Sequence, residues 1–289
     1  MWDDLKPFLV LGVALGGVFA MSGVGLVVLY RATGVLNLAY GAIGALGALI
    51  SWSLLDADIS PWIAYPACVL VGGVLTLIYG VVFGPPLAQR EPLIKTTATL
   101  GLLVILLGAM QLGWGRDPHS ITLPTSRWNY QLGTVRISWT QIIGVVFPIV
   151  VTVLTAIFLR ATKVGTAMRA LANDREITAM LGVPVRRVEA TAWFGSGLLC
   201  GTAGLLLSNL VSLDIVGLSF LIVPALAAAL IGQLHSLGVT LAAGFVIGIV
   251  QSSFNSFPDL AQYRSLTPFV LAILALLAFA ARRQMHART

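Results

Sequence analysis

The chain has 289 residues, with 17 Lys and Arg against 11 Asp and Glu and a net charge of +6. Only 10% of the residues are charged and 58% are hydrophobic, with a mean hydropathy of +0.95; soluble domains carry about 25% charge. This composition excludes a soluble enzyme, a disordered chain and a nucleic-acid binder. An all-α, polytopic integral membrane protein remains.

Nine apolar runs follow one another along the chain: 8–30, 35–55, 62–83, 96–114, 140–159, 190–210, 215–232, 237–256 and 265–281. Each is close to the roughly 20 residues that cross a hydrocarbon core. None contains a charged residue, as expected where a charge at mid-bilayer costs at least ~2.5 kcal/mol. The runs are continuous, so a membrane barrel, which alternates residue by residue, is not expected. The start, Met-Trp-Asp-Asp, is acidic, and the first run is too long for a secretion signal, so no cleavable leader is expected.

Lys and Arg set the orientation. With the N-terminus outside, the inner segments hold Arg31, Arg90, Lys95, Arg160, Lys163, Arg169, Arg175, Arg186, Arg187, Arg282, Arg283 and Arg288. The outer segments hold only Lys6, Arg116, Arg127, Arg136 and Arg264. This asymmetry predicts about nine transmembrane helices, N-terminus outside and C-terminus inside. The run 215–232 is the weakest, short and interrupted by Pro224. It is expected to cross, with a bent or re-entrant path as the alternative. The whole chain, 1–289, reads as one transmembrane domain with a long outer loop at 115–138 and a long inner loop at 160–189.

Three glycine pairs, Gly12/Gly16, Gly197/Gly201 and Gly244/Gly248, let helix backbones approach closely. Cys68 and Cys200 sit apart in apolar runs and read as small buried hydrophobes, with no metal-ligand spacing. Asn209 and Asn255 lie near run ends, within reach of the interface. Asn37 is different: it lies in Gly34-Val-Leu-Asn-Leu-Ala-Tyr-Gly41, just after Arg31. Two readings stay open. One is a broken helix whose free backbone groups face a pathway; the other is an interhelical hydrogen bond.

No carboxylate or histidine lies within the runs to couple transport to protons. No Gly-Lys dipeptide exists, so the chain lacks a phosphate-binding ATPase loop. The pair Asp56/Asp58, followed by Ser60-Pro61, reads as a turn and not as catalytic machinery. The inner loop reads as a helix over 165–181, stopped by Gly182 and Pro184. A short charged helix there suits a soluble partner's groove, or equally a membrane surface. A stand-alone carrier and a membrane-embedded enzyme are the competing classes.

These residues resemble the permease subunits of ATP-binding-cassette importers for branched-chain amino acids and their urea and amide relatives. Gly34–Gly41 is similar to that family's Gly-Val-x-Asn-x-Ala-His-Gly, with Tyr40 in place of His. Ala98-Thr-Leu-Gly101 is similar to its Ala-Thr-Leu-Gly. The stretch 167–182 resembles its Glu-Ala-Ala…Gly loop, with Ile177 and Thr178 for the two alanines. The stretch 227–248 resembles its Gly-rich segment, interrupted by Gln233, Leu234 and His235. The resemblance implies an ATP-driven importer subunit with no cofactor or metal of its own. Two separate ATPase subunits would bind ATP, and a groove on one of them would receive the inner helix through Asp174, Arg175 and Glu176, with Gly182 ending it. A second, different permease subunit would share the pathway, with Asn37, Tyr40 and Thr99 lining this chain's part. An extracytoplasmic substrate-binding protein would dock on the outer loop through Arg116, Arg127 and Arg136. The setting would be a bacterial cell membrane.

Overall fold

The computed structural model describes residues 2–88, 90–121, 129–132, 135–256 and 262–286. It is helical almost throughout. The helices are α1 (Trp2–Thr33), α2 (Tyr40–Asp56), α3 (Pro61–Leu87), α4 (Pro92–Trp114), α5 (Trp139–Ala161), α6 (Lys163–Asn173), α7 (Arg175–Met180), α8 (Val185–Leu210), α9 (Ile215–Ser219), α10 (Ile222–Ile231), α11 (Leu237–Ser253) and α12 (Thr267–His286). Six stretches are long and apolar enough to span a membrane: Lys6–Thr33, Pro61–Leu87, Pro92–Trp114, Trp139–Ala161, Val185–Leu210 and Leu237–Ser256. The apolar helical stretches Tyr40–Asp56, Ile215–Ile231 and Arg264–Phe279 are shorter. Each expected run therefore falls mainly on helix, with 35–39 lying ahead of α2.

Two local features add to the sequence reading. Within the outer loop, β1 (Asn129–Leu132) and β2 (Val135–Ser138) form an antiparallel hairpin, with Tyr130 opposite Ile137. It feeds straight into α5, whose first turn is closed by a reciprocal Ser138–Gln141 capping box. The run 215–232 is bent: α9 and α10 are separated at Phe220–Leu221. Pro224 is not the breaking residue. It lies in the first turn of α10, where its missing N–H has no intrahelical acceptor to lose.

Helix α1 is the centre of the bundle, 78% buried over its apolar window, whereas α4 at 17% is peripheral. The glycine pairs explain the close packing. Gly12 and Gly16 lie against Gly244, Gly248 and Ser252 of α11, and Gly197 and Gly201 against Cys68, Gly72 and Thr76 of α3. A Cβ at Gly248 would strike the Gly16 backbone, so no larger residue fits there. Thr76 reinforces the second contact, its hydroxyl 2.9 Å from the Trp193 carbonyl.

The same arrangement occurs twice. α1 is followed by a break, α2 and α3; α8 is followed by a longer break that holds the short α9, then by α10 and α11. Third helices are exchanged, so that α11 packs on α1 and α3 packs on α8. Gly16 and Gly23 in α1 match Gly197 and Gly204 in α8 in spacing and role: Gly23 meets Ala225 and Ala228 of α10, and Gly204 meets Gly44 of α2. The two units run in opposite directions. Thr33, at the end of α1, lines one groove with Glu189 and Trp193, near the start of α8, while Gly25 bonds Ser196 further along. This is an inverted repeat, and such repeats place sites where their broken helices meet.

Candidate functional site: two facing helix breaks

Gly34 ends α1 with φ +71°, its N–H donating to the Tyr30 carbonyl at 2.7 Å. The chain then runs without helix to Ala39. Buried backbone polar groups there need side-chain partners. Val35 N–H donates to Thr33 Oγ1 at 3.2 Å, and Ala39 N–H to Asn37 Oδ1 at 3.1 Å. Leu38 N–H donates across the bundle to Thr99 Oγ1 of α4 at 2.9 Å. The Thr99 hydroxyl lies 2.6 Å from the Thr96 carbonyl and 3.2 Å from that of Leu36. Asn37 and Thr99 thus meet at one break. Asn37 makes a local turn bond; the interhelical bond belongs to Thr99.

Tyr40 opens α2 and is 2% exposed. Its phenol lies against Gly25 of α1, where a Cβ would collide with Oη. Its carbonyl accepts from Cys200 Sγ at 2.7 Å, and the Gly25 carbonyl accepts from Ser196 Oγ at 2.9 Å. Gly41 is pressed on the Ser219 and Leu218 carbonyls, so the start of α2 faces the end of α9. Among the described residues, neither Asn37 Nδ2 nor Tyr40 Oη has a hydrogen-bond partner, and both atoms are buried. Two unused donors therefore sit at the N-terminus of a buried helix, which favours a small acceptor group. Cys200 read from the sequence only as a small buried hydrophobe, and Ser196 and Ser219 were not singled out. The Gly197/Gly201 pair marked their helix but not their targets.

The inner loop differs from a single helix over 165–181. Asp174, with φ −155°, divides it into α6 and α7, and its Oδ1 accepts from Ile177 N–H at 2.9 Å as the cap of α7. Asp174 is therefore engaged within the chain. Arg175 is also engaged, its Nε and Nη2 lying 3.0 and 2.9 Å from Glu189 Oε1 of α8. Glu176 is exposed. Gly182 takes φ +83°, which ends the segment. α6 buries Gly165, Met168 and Leu171 against the bundle, whereas Ile177, Met180 and Leu181 stand 52%, 79% and 77% exposed. Gln233 and Leu234, in the interrupted Gly-rich turn, both hold left-handed φ near +55°, a region that favours glycine.

At the opposite end, Trp52 stacks on His119 with ring centres 4.0 Å apart, and Trp114 Nε1 donates to Ser53 Oγ at 2.6 Å. Asn209 Nδ2 donates to the Ile121 carbonyl at 2.9 Å. Arg116 lines an open pocket of about 280 Å³ with Gln111, Asp214, Ile215 and Val216. Arg136 lies on β2, and Arg127 lies outside the described residues.

Residues 8–278 match the family described as branched-chain amino acid transport system, permease component. The chain belongs to this permease family. It is 24% identical over 280 residues to the high-affinity branched-chain amino acid transport system permease protein LivH of Escherichia coli K12, covering 92% of this chain and 91% of LivH. It is 26% identical over 286 residues to BraD of Pseudomonas aeruginosa, covering 93% and 92%. The ribose import permease RbsC of Haemophilus influenzae is 22% identical over 253 residues, covering 84% and 76%. With its apolar helices, the permease is a multi-pass membrane protein.

Proposed function

We propose that the permease is the transmembrane subunit of an ATP-driven importer for a branched-chain amino acid or a related small polar solute. The observation that carries this reading is the break at 34–39. There two donors, Asn37 Nδ2 and Tyr40 Oη, lie buried where α2 meets α9, without a partner among the described residues. The solute passes Asn37 and Tyr40, with Thr99 holding the broken backbone open. A second, different permease subunit completes the pathway. The chain crosses a bacterial cell membrane nine times, the bent stretch Ile215–Ile231 included, and the Lys and Arg asymmetry supports an N-terminus outside and a C-terminus inside.

One of the importer's two ABC ATPase subunits docks on the inner loop. Glu176, with the exposed Ile177, Met180 and Leu181, forms the contact; Gly182 ends it. Asp174 and Arg175 shape it from within, one as a cap and one through Glu189. Exposed apolar side chains on a loop outside the bilayer fit a partner's groove. A substrate-binding protein delivers solute at the opposite end, near the hairpin and Arg116.

The test is reconstitution with the partner subunits in liposomes. Asn37→Leu is expected to cut uptake at least tenfold while the complex still assembles. Glu176→Lys or Gly182→Pro is expected to leave membrane insertion intact and separate ATP hydrolysis from uptake. Concentrative uptake by this chain alone would overturn the reading.

A further inference from the structure

A cluster of three charges joins the inner loop to both helices that hold the first break. Arg175 of α7 gives Nε and Nη2 to Glu189 Oε1 of α8, at 3.0 and 2.9 Å. The Glu189 side chain is only 16% exposed, and among the described residues its Oε2 makes no hydrogen bond. Lys95 of α4 is half-buried and lines the same groove as Glu189, with Thr33, Val35, Tyr79 and Trp193. Its charged neighbours are Arg175 and Glu189, yet among the described residues it forms no ion pair. One carboxylate thus has two cationic neighbours and is paired with one of them.

Both helices lead from this cluster to the break. On α8, Glu189, Trp193, Ser196 and Cys200 recur at i, i+4, i+7 and i+11 and so share one face. Ser196 Oγ donates to the Gly25 carbonyl at 2.9 Å, and Cys200 Sγ to the Tyr40 carbonyl at 2.7 Å. On α4, Thr99 lies one turn beyond Lys95 and accepts from Leu38 N–H at 2.9 Å. Thr33 and Val35 bring the start of the break to the groove itself. A shift of α8 against α4 is therefore felt at Tyr40 and Leu38 together. A part-buried carboxylate that loses its partner is costly, so Glu189 leaves Arg175 readily only for another cation, and Lys95 is beside it. We propose that Glu189 is a positioning residue for transport, passing from Arg175 to Lys95 when the ATPase draws α7 away from α8, and so changing how α8 and α4 hold the break. This rests on the ATPase contact proposed above. The exchange is the two-state element that coupling between distant sites requires.

Double-mutant cycles on the assembled transporter in nanodiscs test this, read as thermal-unfolding midpoints without nucleotide and after trapping with ATP and vanadate. Without nucleotide, Arg175→Met and Glu189→Gln should be non-additive, and Lys95→Met should keep the wild-type midpoint. In the trapped state the non-additivity should move to Lys95→Met and Glu189→Gln. In liposomes, Lys95→Met should lower L-leucine uptake per ATP hydrolysed about tenfold, and Lys95→Arg should keep most of it. Non-additivity that stays with Arg175 in both states would overturn the proposal. Loss of uptake in Lys95→Arg as large as in Lys95→Met would overturn it too, by marking a packing role. Normal uptake by Lys95→Met, with wild-type uptake still dependent on ATP, would overturn this exchange and leave the proposed function standing. Wild-type uptake without ATP would overturn both.

Discussion

The two helix breaks meet at Gly41 and Ser219, yet they are built differently. The break between α9 and α10 is two residues long and closes its own backbone. Leu221 N–H reaches the Leu218 carbonyl at 3.2 Å, Val223 N–H reaches that of Phe220 at 3.0 Å, and Ser219 Oγ bonds Ile215 within its own helix at 2.7 Å. The break between α1 and α2 spans 34–39 and cannot close locally. It borrows Thr33, Asn37 and, from another helix, Thr99. A tight turn is self-sufficient, whereas an extended stretch in an apolar interior depends on side chains for every polar group. That dependence leaves donors over at the first break and none on the α9 side. The asymmetry within a repeated architecture is what singles out 34–41 as the place to bind something.

The comparison can be broken most severely at the contact itself. Gly41→Val puts side-chain atoms into the Ser219 carbonyl and drives the two breaks apart. Overpacking of this kind costs about 1–3 kcal/mol or more, so a large fall in detergent thermal-unfolding midpoint and in yield is expected. Retention of the wild-type midpoint would contradict the close approach.

Thr99→Val acts on the first break alone. It keeps the shape and removes the acceptor for Leu38 N–H, at a cost of about 1–3 kcal/mol for a buried unpaired donor. Thr99→Ser restores the oxygen and is expected to recover most of the midpoint. Equal loss in both variants would mean that packing, not the hydrogen bond, holds the break. The mildest change is expected at the second break. Ser219→Ala removes a hydroxyl bonded only within its own helix turn, and the effect should stay within about 0.5 kcal/mol. A loss as large as that of Thr99→Val would erase the proposed difference between the breaks.

Parts of this were legible in the residues. The nine apolar runs fall on helices because hydrophobicity and absence of charge are properties of the segment itself. Gly182 was legible as a helix stop, and it takes the positive φ that such a stop uses. Asn37 was noticeable as a polar residue between glycines. The inner loop was read as one helix because Asp174 is tolerated in a helical pattern; its role as a cap appears only when α7 turns away from α6. The hairpin was read as loop because two strands of four residues give too short an alternation. The bond from Thr99 to Leu38 joins residues 61 apart, and no local pattern carries such a partner.

By itself the sequence determined that this chain lives in a bilayer, which stretches are apolar enough to be its membrane helices, and that those apolar runs hold no ionic group for coupling. Those are local matters of transfer free energy and backbone preference. Tertiary structure alone decided which glycine faces which helix, that the two units are inverted copies, and that Lys95, Glu189 and Tyr79 share one groove. In an apolar solvent the helices are equally stable against many neighbours, so close packing and a few hydrogen bonds select the arrangement.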